Sequence, residues 1–279
     1  PNAEHVRLSF QEVFARFADP SNVGARPKFQ RQVVRIVESL DFKRIFSSED
    51  VSGRARMRSL TVPSSAAWLM SVRDGFEHFL SDSDFHSACK FMLGLTPIDF
   101  MPASCHCGAS YQENEDHLHT CSLLGSLRIA RHDTICNIIA RFCRLANISC
   151  VCEPNFLGTN PASGRNSRTD LVIQLGDQSF SVDVRITHPA ARSYRNAASR
   201  TTLYAAARAE REKVRKHQAQ AQADGMIFVP FVMESYGAIG LAARDFMQKL
   251  VRFAVENSPA ACGSLYSVVF SQLAYELSV

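Results

Sequence analysis

The sequence has no apolar run long enough to span a membrane, no visible signal peptide, no internal repeat and no strong excess of either charge. The first two absences argue against a membrane partner and against the disulfide framework of a small secreted domain. With 31 Lys and Arg against 27 Asp and Glu, the formal net charge is +4, which permits a nucleic-acid partner without demanding one. The chain opens on Pro1 instead of Met, as expected of a fragment or a processed product.

What is present is globular composition: 279 residues, 46% hydrophobic and 21% charged, enough for a real core and for two domains. Charge is uneven, with nine Lys or Arg and two Glu between Arg185 and His217. The bland account of that run is a solvated helix face. Cysteine is also uneven. Of nine, eight lie between Cys89 and Cys152, and a reducing compartment with some thiols on metal suits that odd count.

Residues 1–100 read as a mostly helical connector, with amphipathic stretches at Phe10 to Phe17, Phe29 to Leu40, Ala66 to Leu80 and Asp84 to Leu93. Ser81 and Asp82 separate the last two, and Asp84 is a candidate cap. Residues 101–147 carry a Cys/His-rich loop and then a helix from about Leu123 to Leu145. From 148 to 279 the texture becomes α/β: a polar loop from Gly158 to Ser167, two alternating strands, an Ala-rich helix from about Ala197 to Ala223, the strand MIFVPFVM at 226–233, and helices near 238–256 and 263–277.

Two motifs carry chemistry. In the first, Cys105, Cys107, His117 and Cys121 have the spacing of a closed tetrahedral zinc shell, with His119 and His106 as competing ligands. Gly108 suits the tight turn after the second thiolate. Four protein ligands leave no position for water, so Zn²⁺ there would be structural.

The second is R-T-D-L-V-I-Q-L-G-D-Q-S-F-S-V-D-V-R at 168–185. Gly176 and Asp177 make a two-residue hairpin loop, so Leu175 pairs with Gln178 and Asp170 lies opposite Asp183. Alternation puts Leu171, Ile173, Leu175, Phe180, Val182, Val184 and Ile186 on one face, and Asp170, Asp183 and Arg185 on the other. Directly opposed carboxylates, with Cβ atoms about 4.5–5.5 Å apart, destabilise a hairpin. A bridging Mg²⁺ or Mn²⁺ accounts for tolerating them; two solvated surface acids are the plain alternative. Glu153 is a third acid and Glu234 a fourth. Arg185 cannot serve as a general base, whereas Lys213 and Lys216, three apart on the Ala-rich helix, both lie near one face, from which either could reach over the carboxylates.

Together these residues resemble the C-terminal region of non-LTR retrotransposon proteins that carry a restriction-like PD-(D/E)xK endonuclease behind a zinc knuckle. The likeness runs over about residues 60 to 250. It rests on the knuckle, on R-I-A-R-H-D at 128–133, C-E-P at 152–154 and V-D-V-R-I-T-H-P from Val182. F-V-P-F-V-M-E-S-Y-G at 228–237 and the twelve residues between Asp170 and Asp183 complete it. The resemblance implies a restriction-endonuclease-like mixed sheet flanked by helices. It also implies a nuclear enzyme that nicks chromosomal DNA to prime a reverse transcriptase, with RNA as a further partner. By position, Asp170 and Asp183 match the metal carboxylates, Glu153 the upstream acid, and Lys213 or Lys216 the catalytic lysine. Arg168, Arg185, Arg208, Arg211 and Arg215 are candidate phosphate contacts. Thr169 stands where the family has proline, and His217 where a tyrosine often follows the lysine. No Y/F-A-D-D polymerase signature occurs. Two alternatives stand beside this expectation: a binding or targeting module without cleavage, and a repair or junction-resolving nuclease on the same core.

Overall fold

The computed structural model describes residues 26–65, 81–95, 103–111, 116–154 and 169–257. The helices expected at Phe10 to Phe17, Ala66 to Leu80 and 263–277, the loop at Gly158 to Ser167, and Arg168 lie outside these residues. Among the described residues no helix is long and apolar enough to cross a membrane.

The N-terminal part supplies helices α1 (Arg26–Ser48), α2 (Val51–Leu60) and α3 (Asp82–Leu93). Asp50 caps α2 by accepting from the Gly53 amide. For α3 the cap is Ser81, whose Oγ accepts from the Asp84 amide at 3.1 Å. The expectation of Asp84 as cap is thereby corrected: the hydroxyl sits one residue before the helix, where its oxygen faces the orphan amides, and Asp84 is already in the first turn. These helices dock on the α/β part through Arg58 Nε, which donates to the Ser199 carbonyl, and Ile239 N, which donates to Ser64 Oγ. Gly237, at φ +87°, lies against this docked segment. A Cβ there would lie 3.1 Å from Ser65 Cα, so backbone presses on backbone.

After the short helix α4 (His117–Thr120) and the long α5 (Gly125–Leu145) come strands β1 (Cys150–Cys152), β2 (Leu171–Leu175) and β3 (Gln178–Thr187). Helices α6 (Arg195–Ala198) and α7 (Tyr204–Ala223), strand β4 (Ile227–Glu234) and helix α8 (Leu241–Asn257) complete the order. The single Ala-rich helix expected over 197–223 is two. Ser199 to Leu203 interrupts it, with Leu203 at φ +58°. Two consecutive threonines have poor helix propensity, and Arg58 takes the freed Ser199 carbonyl.

The protein is mixed α/β, with a four-stranded sheet in order β1-β2-β3-β4. The first three strands are antiparallel, and β4 joins β3 in parallel after the crossover through α7. Period-two alternation decides the layers. Leu171, Ile173, Phe180, Val182, Val229, Phe231 and Met233 face one way, into a core with Ile135, Ile139 and Phe142 of α5 and Phe246, Met247 and Leu250 of α8. Val232 faces the other way, onto Ala206 and Ala209 of α7. The alanines let α7 approach the sheet closely. One apolar core therefore runs across residue 148, where the boundary between segments was expected.

Ile139 is fully buried where α5 meets the sheet. Ile139→Ala should lower stability by about 2–5 kcal/mol, read as an earlier urea midpoint with an unchanged transition slope. A loss below about 1 kcal/mol would mean that α5 is not part of the sheet's core.

Candidate active site and Cys/His knuckle

The hairpin has the register that its two-residue loop demands. Leu175 pairs with Gln178 and Leu171 with Val182. One step further out the ladder ends, and the Asp170 amide donates to the Val182 carbonyl at 3.1 Å. That end brings Asp170 and Asp183 together. Asp183 is 6% exposed, covered by α7. Lys213 Nζ donates to its Oδ1 at 2.6 Å, and His217 Nε2 lies 3.6 Å from its Oδ2. Lys216, one turn along the same helix, is exposed. The structure thus brings Lys213 to the carboxylates and leaves Lys216 in solvent.

Asp170 is reached from the opposite layer. Its Oδ2 accepts from the Val184 amide at 2.6 Å and pairs with His132 Nε2 of α5 at 3.1 Å. Burial pushes Asp183 above the usual carboxylate range, outweighing Lys213, and the charge of Asp170 adds to the push. For Asp170 burial acts the same way but is outweighed by His132 and the Val184 amide, so its pKa falls below the usual range. The hydrogen bond to Asp170 drives His132 up to about 11. Two neighbouring acids are thereby split, one protonating more readily than the other.

Glu153 does not join Asp183. It is exposed at the end of β1, in the left-handed region at φ +42°, and its amide donates to the Asp170 carbonyl. Its side chain lines a cavity of about 310 Å³ with Asp170, His132 and Cys136. Glu234 is buried elsewhere: its Oε1 accepts from the Ala206 amide in the first turn of α7. The arginines divide. Arg185 donates to Glu212 Oε2 at 2.9 Å and to the Tyr194 hydroxyl. Arg208 stacks over Tyr194 and also bonds Glu212. Arg211 and Arg215 are exposed on α7.

In the knuckle, one ligand atom from each of Cys105, Cys107, His117 and Cys121 lies within 4.8 Å of the others. The Cys105–Cys121 sulfur separation is 3.7 Å, and Cys107 Sγ is 3.0 Å from His117 Nε2. A tetrahedron with zinc–sulfur bonds of about 2.3 Å has sulfur–sulfur edges of about 3.8 Å, so the donor set fits that ion. His106 is exposed. His119 turns away and stacks on His188 at 4.9 Å, with Nδ1 accepting from Arg131 at 2.9 Å. Burial holds His119 well below the usual histidine range, which leaves it neutral and able to accept.

A buried polar link joins knuckle and sheet. His188, just past β3, bonds Asp116 Oδ1 through Nε2 at 2.9 Å and Ser235 Oγ through Nδ1 at 2.6 Å. The Tyr236 hydroxyl reaches the same Asp116 oxygen. Neither this link nor the His132–Asp170 pair was read from the sequence. The R-I-A-R-H-D segment, with a histidine on a helix that must pack beside the hairpin, was the available signal for the second.

The fold and site thus define a mixed α/β protein with a carboxylate pair at one sheet end and a Cys/His knuckle docked beside it. No family model matches the chain. Over 160 residues, 54% of this chain, it is 31% identical to the Retrotransposable element SLACS 132 kDa protein of Trypanosoma brucei gambiense. The match takes in 13% of that protein's own length.

Because the folded pKa of His132 exceeds its ordinary value, the stabilisation it contributes is complete below pH ~6.5. It fades as pH rises through about 11. In protein stripped of bound metal by a chelator, NMR of the ring nitrogens should find His132 doubly protonated at pH 8. Asp170→Asn should return its titration toward pH ~6.5; a neutral ring at pH 8 in the unaltered protein would refute the pairing.

Proposed function

We propose that the chain is the DNA-cleaving segment of a retrotransposon protein, a metal-dependent endonuclease with a restriction-like PD-(D/E)xK core. The observation that carries this reading is one constellation. Asp170 and Asp183 adjoin at the end of a hairpin, with Lys213 2.6 Å from Asp183 and arriving from the helix that follows. The likeness to a retrotransposon protein supplies the setting.

The donor set suits a hard divalent cation: two adjoining carboxylates, one raised by burial and by its neighbour's charge. Mg²⁺ or Mn²⁺ held by Asp170 and Asp183 would supply a water of lowered pKa and neutralise charge developing on the phosphate. The chain's own residues do the rest. Lys213 neutralises Asp183 in the resting site, and its ammonium is placed to hold the attacking water or a phosphate oxygen. Val184 N and His132 fix the Asp170 carboxylate from two sides. Arg211 and Arg215, exposed on α7, offer phosphate contacts from the same helix. The knuckle, with Zn²⁺ in its four-donor shell, would set the angle at which its loop meets the sheet through Asp116 and His188. In the parent protein a reverse transcriptase would then extend the 3′ end of the nick in the nucleus, with RNA as template.

Supercoiled plasmid incubated with Mg²⁺ should relax by nicking, and EDTA should stop it. Asp183→Asn should lower the rate by at least about 100-fold and Lys213→Met by about 100-fold or more, while Lys216→Met stays within a few-fold of wild type. Equal rates for Lys213→Met and wild type would remove the lysine from the mechanism. Plasmid bound but never nicked by the folded protein would favour a targeting module.

A further inference from the structure

Beyond the carboxylate pair and the knuckle, a third group of metal-ligating side chains lies within reach of one ion. His132, Cys136 and Asp170 each present one donor atom, all within 4.8 Å of one another. The first two stand four apart on α5, on one face of the helix. His132 Nε2 is 3.1 Å from Asp170 Oδ2 and 3.9 Å from Cys136 Sγ. For zinc–ligand bonds of about 2.0–2.3 Å, a tetrahedron has nitrogen–oxygen edges of about 3.3 Å and nitrogen–sulfur edges of about 3.6 Å. A few tenths of an ångström therefore separate these two observed edges from coordinating ones, and the third, between Cys136 and Asp170, lies within 4.8 Å.

Two further features match a ligand set. Histidines on metals usually present their other ring nitrogen to a carboxylate or carbonyl, which fixes the ring. Here His132 Nδ1 meets Asp133 Oδ1 at 3.0 Å. Asp170 is fixed in turn by the Val184 amide. The three donors also border the cavity of about 310 Å³ that Glu153 and Cys152 share, so space is open beside them for a fourth ligand.

We propose that His132, Cys136 and Asp170 form a second transition-metal site, taking a borderline dication such as Zn²⁺ and leaving one position open to water or an anion. One thiolate, one neutral imidazole and one carboxylate carry two negative charges, so a dication in the site is balanced. A thiolate selects a softer ion than the Mg²⁺ suited to paired carboxylates. The site does not depend on the nuclease reading. Asp170 is common to both, but metal content is measured without cleavage, so either proposal stands when the other fails.

The full chain, expressed with zinc and desalted, should retain two zinc equivalents by elemental analysis. Cys136→Ser and His132→Ala should each retain one, as should the knuckle variant Cys121→Ser. With the knuckle filled by zinc, added Co²⁺ should give a thiolate-to-cobalt charge-transfer band that Cys136→Ser abolishes. One equivalent in wild type without that band overturns the proposal and leaves His132 as the counter-ion of Asp170. Two equivalents in a folded Cys136→Ser protein overturn it equally, by placing the second ion on other thiols. Should the variants not fold, wild type alone decides through NMR with isotope-enriched cadmium. Coupling to two histidine rings supports the site, and coupling to His117 alone overturns it.

Discussion

Two carboxylates forced together at the end of a hairpin constrain everything around them. A pair of unit charges 4 Å apart repels by about 4 kcal/mol at an effective dielectric of ~20, and Asp183 is almost wholly removed from water. That cost is met by cations from opposite layers of the fold: Lys213 from α7 on one side, His132 from α5 on the other. Each layer is pinned to the sheet by apolar contacts of its own, α5 through Ile135, Ile139 and Phe142 and α7 through Ala206 and Ala209. The close approach of α7 follows from its alanines, and it brings a lysine stem within reach of β3. Bulkier residues at 206 and 209 would hold the helix off the sheet and lengthen the Lys213–Asp183 contact.

The hairpin was legible because its rules are local. A two-residue loop fixes register, alternation fixes faces, and the adjacency of Asp170 and Asp183 follows from counting. The knuckle set was legible by spacing, but the choice between His117 and His119 was not, since both lie in the same short helix. What separates them is docking: His119 is drawn into a stack with His188 and Phe91, whose places in the chain are remote. Lys213 and Lys216 posed the same difficulty, because two residues three apart share a face until a partner surface fixes the helix's rotation. The break at Ser199 to Leu203 was hidden by the alanine on either side of it. The histidine on Asp170 stayed hidden because nothing in a helix's own sequence says which residue of a packed neighbour its polar edge will meet.

Knuckle and sheet are less separable than their composition suggests. Asp116 precedes His117 of the knuckle, yet its carboxylate is bonded to His188 and Tyr236, which follow β3 and β4. Burial raises the pKa of Asp116, but the His188 hydrogen bond outweighs it and holds the carboxyl below the usual range. The Cys/His loop and a sheet end therefore share one hydrogen-bonded link between Asp116 and His188, and distortion of either is felt by the other.

Glu234 has a consequence for tolerance. Its carboxylate grips the Ala206 amide, so α7 is held at its root by the strand that follows it in sequence. Lys213 stands seven residues further along, about 10 Å at the usual helical rise. A helix pivoting by about 5° at its root would carry that position sideways by about 1 Å, a displacement that can cost an oriented reaction about 100-fold. The aim of the lysine is thus set by a gripping acid two helical turns away, and small errors at that hinge are magnified where the ammonium meets its carboxylate.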